Sequence, residues 1–106
     1  MGFEIMNKAY EEFSEKYPAK LVVREGMHLV PVSLCQDFVA LCEKHSLRII
    51  GVEGFRFSGQ AIMPCEKYIA DYSTASQSDA RLAAKGFFSA AIDPEVHFEF
   101  VLTEGK

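Results

Sequence analysis

The sequence contains no cluster of basic residues and no long apolar stretch. Its 11 Lys and Arg residues are scattered and are outnumbered by 15 Asp and Glu, which gives a formal net charge of −4. Binding to a nucleic-acid backbone needs clustered positive charge, and a membrane-spanning helix needs about 18 apolar residues in succession. We therefore expect neither a nucleic acid nor a membrane as a partner.

The sequence also lacks the features of a secreted protein. Its first residues have neither the basic nor the apolar segment of a signal peptide. The three cysteines, Cys35, Cys42 and Cys65, are an odd number, and a predicted helix separates Cys35 from Cys42 by about 10 Å, too far for a disulfide. We expect three reduced thiols and a cytoplasmic location.

The common motifs of catalytic and metal sites are missing as well. There is no glycine-rich phosphate loop, no dinucleotide-binding fingerprint and no nucleophile elbow, and no closely spaced cysteine pair of the kind that binds zinc. We expect a protein that is not an enzyme and has no metal, cofactor or small-molecule ligand. Two alternatives stay open: a small enzyme that uses Cys65 or paired carboxylates, and a structural or adaptor subunit.

The chain does have the composition of one globular domain, with 106 residues of which 49% are hydrophobic. That size is typical of a single domain, here 1–106. Apolar spacings of three and four predict helices, and alternation or β-branched runs predict strands. The predicted helices cover 3–16, 34–45, 64–72 and 79–92, and the predicted strands cover 20–24, 29–32, 47–57, 60–63 and 96–102.

These elements predict an α+β fold, because the helices and strands do not alternate regularly enough for a doubly wound parallel sheet. We expect a largely antiparallel or mixed sheet of about four to five short strands with helices packed on it. Four residues are predicted to lie in its core: Phe38, Leu41, Phe87 and Phe100. On the last helix Leu82 and Ala83 should face inward with Phe87, and Gly86 should allow another backbone to approach.

The stretch from Gly51 to Ser73 stands out, because acidic and aromatic residues flank a predicted glycine-kinked hairpin. Its acids could simply face water on a bulged hairpin. Alternatively, they could form an acidic surface with aromatic edges, on which a partner protein docks. The candidate partner-binding residues are Glu53, Phe55, Phe57, Glu66, Asp71 and Tyr72.

The same stretch resembles small immunity proteins of bacterial polymorphic-toxin systems, including contact-dependent growth inhibition. The resemblance rests on Gly-x-Glu-Gly-Phe, followed by Ile-x-Pro and Ile-Ala-Asp-Tyr-Ser, and covers about a fifth of the chain. It implies a protein that binds and neutralises a cognate toxin domain. A nuclease toxin presents positive charge to its substrate, so an acidic inhibitor could occlude its active site or substrate surface.

Overall fold

The computed structural model describes residues 2–59, 61–90 and 95–104, and the side chains of 8–59, 61–65, 68–89 and 95–103 within them. These residues form three α-helices, five β-strands and one short 3-10 helix. In chain order the elements are α1 (Gly2–Lys16), β1 (Val22–Arg24), β2 (Met27–Pro31), a 3-10 helix (Val32–Leu34), α2 (Cys35–Lys44), β3 (Leu47–Ser58), β4 (Ala61–Asp71), α3 (Gln77–Ala90) and β5 (His97–Glu104).

The five described strands form one sheet in the order β1-β2-β5-β3-β4, and every neighbouring pair is antiparallel. β5 is last along the chain but lies between β2 and β3. Two of the connections are hairpins, and the first turns at Glu25 and Gly26, which both have positive φ as a tight two-residue hairpin turn requires. The predicted α+β class with an antiparallel sheet is therefore confirmed.

The helices lie on one face of the sheet and share one core with it. Ala9 and Phe13 from α1, Phe38 from α2 and Phe88 from α3 join Phe98 of β5 in a single buried cluster. This cluster confirms the prediction that Phe38, Leu41 and Phe100 are core residues, since all three are at most 6% exposed.

The predicted inward face of α3 is wrong by about one position. The residues that α3 buries are Ala80, Ala84 and Phe88, whereas Leu82 is 72% exposed. Phe87 is only half-buried, although its ring packs edge-on against that of Phe98. The α3 sequence carries two adjacent apolar stripes that both fit the helical period, and contact with the sheet decides between them.

The helix predicted over 64–72 is also wrong, because this segment is most of strand β4. β4 lies at the edge of the sheet and pairs only with β3 among the described strands, and an edge strand can accommodate Pro64, which lacks an N–H to donate. Its pairing jumps from Ile69 opposite Glu53 to Cys65 opposite Gly54, so three residues bulge out between them. The bulge interrupts the alternation by which a strand is recognised.

A second irregularity lies on the other side of β3. Ile49 pairs with Leu102 and Gly51 pairs with Val101, so Ile50 is an extra residue in β3. Because of this bulge, Ile49 and Val52 both face the core although an odd number of steps separates them. Gly51 and Glu53 consequently face away from the helices.

None of the helices found in the described residues is long and apolar enough to cross a membrane.

Candidate functional site

The sheet surface opposite the helices carries a compact group of acidic and aliphatic residues. Residues directly opposite each other on antiparallel strands share a face and have Cβ atoms about 5 Å apart. Six positions form two such rows across β5, β3 and β4: Val101, Gly51 and Asp71 in the first, and Glu99, Glu53 and Ile69 in the second. We call these six residues the acidic face.

The two aliphatic side chains of the acidic face stand well out into water. Ile69 is 49% exposed and Val101 is 45% exposed. Between them Gly51 has no side chain, and this leaves a shallow depression of about 320 Å³ whose lining also includes Asp71 and Glu53. An apolar contact area bordered by carboxylates is therefore available to a partner.

Asp71 is a fixed negative charge in this face. Its Oδ1 accepts a hydrogen bond of 2.9 Å from the Ser73 N–H, and hydrogen bonding from Ser73 lowers the pKa of the carboxyl. Arg48 holds the same segment from the side of β3 that faces away from the helices, because its Nη2 donates to the carbonyl oxygens of Ser73 at 2.9 Å and of Ala75 at 2.6 Å. The carboxylate thus stays ionised and oriented on a tethered turn.

Glu99 and Glu53 lie directly opposite each other on β5 and β3. Partial burial, and then the negative charge of Glu53, raise the pKa of Glu99 above its usual value. The folded state therefore holds this proton more tightly than the unfolded chain. The contribution of Glu99 to stability is complete below the unfolded pKa of about 4.3 and is lost as the pH rises through the higher folded value.

Replacing Glu99 by Gln should accordingly make the protein more stable than the parent at neutral pH. The advantage should disappear in acid, where the parent carboxyl is protonated too. Urea unfolding of both proteins over a series of pH values measures the difference.

Glu12 provides the opposite case in the same chain. Its carboxylate lies 2.7 Å from Lys44 Nζ and 2.9 Å from His45 Nε2, and these hydrogen bonds lower its pKa. The contribution of Glu12 to stability is present above the unfolded pKa and is lost as the pH falls through the folded pKa.

Glu12→Gln should therefore be less stable than the parent at neutral pH, and this difference in stability should vanish in acid. Equal pH profiles for the two variants would contradict both assignments.

The predicted site residues divide between the two faces of the sheet. Glu53 and Asp71 belong to the acidic face, as the hypothesis of an acidic surface requires. Phe57 shares this side of β3, and its ring lies 4.7 Å from the His97 ring and 4.9 Å below the Arg24 guanidinium. It is therefore a half-buried side chain that is already packed, and Phe55 separates it from Glu53 along this side of β3.

The other aromatic candidates are not placed for contact with a partner. Phe55 follows the same alternation as Glu53 but is only 5% exposed. Tyr72 lies half-buried against the core, one position beyond Asp71 and on the opposite side. The backbone of Glu66 lies in the β4 bulge, and its side chain falls outside the described part of the structure.

Sequence reasoning missed Ile69, Glu99 and Val101 as members of this site. Glu99 and Val101 lie on β5, far along the chain from Glu53, and only strand pairing brings them together. Ile69 belongs to the segment that was predicted to be helical. The alternation of Val96 to Leu102 indicated that one side of β5 is exposed, but not which strand lies beside it.

The chemical alternatives are less well supported by the geometry. Two adjacent carboxyls, one with a raised pKa, are the arrangement used in acid–base pairs, but Glu53 and Glu99 lie on an open sheet surface, whereas active sites are usually concave. Cys65 packs against the core cluster. Burial raises the pKa of the Cys42 thiol to about 12 and also raises that of Cys35, which makes both poor nucleophiles.

Metal-binding side chains are not grouped in the described portion of the chain: no three His, Cys, Asp or Glu side chains there are placed to hold an ion. Comparison with models of protein families, with curated proteins and with solved structures found no match to this chain.

Proposed function

We propose that this chain is an immunity protein that binds a basic toxin domain through the acidic face and occludes the toxin's active or substrate-binding surface. One observation carries the proposal: three carboxylates surround two exposed aliphatic side chains on a firmly held sheet surface. None of the six positions carries a positive charge. The resemblance of Gly51–Ser73 to immunity proteins supports the same function, and this segment contributes four of the six residues.

The division of roles within the face follows from interface energetics. Exposed apolar side chains that become fully covered supply most of the affinity of an interface, and the surrounding polar residues exclude water. Ile69 and Val101 are therefore the anchors. Glu53, Asp71 and Glu99 provide the negative potential that attracts a nuclease-like, positively charged surface and accelerates its association.

The first experiment identifies the partner. The proposed function requires that a toxin domain is encoded next to this chain. That domain is expressed alone and together with this chain, and growth of the host is measured. Protection by co-expression, together with a purified one-to-one complex, is the expected result. If the neighbouring toxin domain neither binds this chain nor is neutralised by it, the proposed function is wrong.

The second experiment locates the surface. Glu53→Lys combined with Asp71→Lys should slow association with the toxin domain by about tenfold or more at low salt and should weaken the salt dependence. The matched control is Glu25→Lys combined with Glu43→Lys, which changes the net charge equally on exposed positions outside the face. Similar association rates for the two double variants would move the docking site elsewhere.

The anchors are tested by dissociation rates. Ile69→Ala combined with Val101→Ala should raise the dissociation rate about tenfold or more, with little change in association. Leu82→Ala removes an even more exposed aliphatic side chain from α3 and should leave both rates unchanged. Unfolding by urea confirms that each variant is folded before binding is compared.

A further inference from the structure

A second surface, distant in the sequence from the acidic face, lies between α1 and the β1–β2 hairpin. It is an open groove of about 500 Å³, which falls within the range of volumes of sites that hold ligands or side chains. Seven residues line it: Tyr10, Glu11, Ser14, Glu15, Leu21, Val23 and His28. None of them belongs to the acidic face.

The floor of the groove is apolar and incompletely covered. The rings of Tyr10 and His28 pack against each other with centroids 4.9 Å apart. The Tyr10 ring also packs on that of Phe38, with centroids 4.7 Å apart, and its hydroxyl points to the Phe100 carbonyl oxygen at 3.4 Å. Beside them Leu21 is half-buried, and Val23 is 56% exposed. The groove thus presents an aliphatic contact on a rigid aromatic base.

The α1 side of the groove carries two exposed negative charges, Glu11 and Glu15, and Lys8 lies one turn before Glu11 without forming an ion pair within 4 Å to any side chain that the structure describes. Glu11 and Glu15 lie one helical turn apart, so they project from the same side of α1 and repel each other. Glu15 also lies in the last turn of α1, where the helix dipole disfavours a carboxylate. Within the described side chains neither has a cationic partner, in contrast to Glu12, which pairs with Lys44 and His45 of the α2 end.

These features define the chemistry of an occupant. Like charges held together beside a partly exposed apolar floor are relieved when positive charge and apolar surface arrive together. A lysine or arginine side chain supplies both a cation and an aliphatic stem. A neutral or acidic ligand would leave the repulsion between Glu11 and Glu15 in place.

We infer that this groove is a second docking site, which takes a basic segment of a partner protein. An aliphatic side chain of the segment packs on Leu21 and Val23, and its lysine or arginine side chains pair with Glu11 and Glu15. This site shares no residue with the proposed toxin-binding surface. Substitutions in one site can therefore change its binding without changing the other.

The probes are three labelled short peptides that differ only in pattern: lysine alternating with leucine, lysine alternating with serine, and glutamate alternating with leucine. Fluorescence anisotropy with the intact chain should show the lysine–leucine peptide binding about tenfold or more tightly than either of the others. Equal binding of the lysine–serine peptide would reduce the effect to non-specific attraction to an acidic protein and would overturn the inference.

Variants then locate the bound peptide. Glu11→Gln combined with Glu15→Gln should weaken binding of the lysine–leucine peptide about tenfold, since both charge pairs are lost. Glu25→Gln combined with Glu43→Gln, which changes the net charge equally, and Glu53→Gln combined with Asp71→Gln should each leave it unchanged. If the acidic-face variant weakens binding as much as the groove variant does, the groove is not a separate site.

NMR spectra of the backbone amides locate the bound peptide without any change in the charge of the protein. Addition of the lysine–leucine peptide should shift the signals of Leu21, Val23 and His28 and leave those of Ile69 and Val101 in place. Sedimentation velocity of the free protein tests the other occupant. A dimer that Val23→Thr dissociates would show that a second copy fills the groove, and that result would contradict the inference.

Discussion

Replacing Phe38 by alanine should lower the free energy of unfolding by about 3–5 kcal/mol, as is usual when a large buried aromatic side chain is truncated. Phe38 is fully buried. Its ring lies 4.7 Å from that of Tyr10 on α1 and 4.6 Å from that of Phe100 on β5. One side chain therefore joins two helices to the sheet, and its removal leaves a cavity among the rings that surround it.

Urea unfolding followed by circular dichroism measures this loss. Leu82→Ala is the control, because it removes an aliphatic side chain that is 72% exposed and should change stability by less than about 0.5 kcal/mol. A loss below about 1 kcal/mol for Phe38→Ala would mean that the packing of α2 on the sheet is different from that described.

Replacing Gly54 by alanine should lower stability by about 1–3 kcal/mol, as overpacking of a filled core does. A Cβ at this position would lie 2.7 Å from the Tyr68 Cβ and 3.0 Å from Val96 Cγ1. The Tyr68 atom is attached directly to the backbone of β4, so no rotation of a side chain relieves the contact. β4 must move away from β3 or the bulge must rearrange.

Gly86→Ala is the matched substitution with the opposite expectation. The sequence predicted that Gly86 admits another backbone, but this is wrong: a Cβ there meets no described atom within 4 Å. Because alanine favours the helix interior more than glycine does, Gly86→Ala should raise stability by up to about 1 kcal/mol. Urea unfolding of both variants distinguishes the steric effect of an added Cβ from its effect on backbone freedom. An equal change in the free energy of unfolding for the two variants would contradict the crowding at Gly54.

The parts of the fold that were predictable are those in which local spacing and tertiary contact agree. Phe38 and Leu41 sit on the only broad apolar side of α2, so the helical period alone placed them in the core. On α3 the choice between Phe87 and Phe88 depends on the angle at which the helix lies on the sheet. No local pattern contains that angle.

The acidic face was predictable only in part for a similar reason. Glu53 and Asp71 could be identified because they are acidic residues that flank a predicted glycine-kinked hairpin. The bulges at Ile50 and in β4 set which residues share a side, and each shifts the alternation that follows it. Tyr72 directly follows Asp71 and packs against the core, so these two candidates lie on opposite sides. The contributions of β5 could not be anticipated from a distant segment.

The position of β5 in the sheet has a consequence for how this chain acquires its structure. The strand that is made last of the five lies between β2 and β3, so the two earlier groups of strands have no connection through the sheet until residues 97–104 emerge from the ribosome. The β3–β4 hairpin is local and can form early, whereas insertion of β5 must wait and closes long loops on both sides. Between the completion of β4 and the arrival of β5, a nascent chain therefore exposes the apolar side of the hairpin, and association with other unfinished chains competes with folding in that interval.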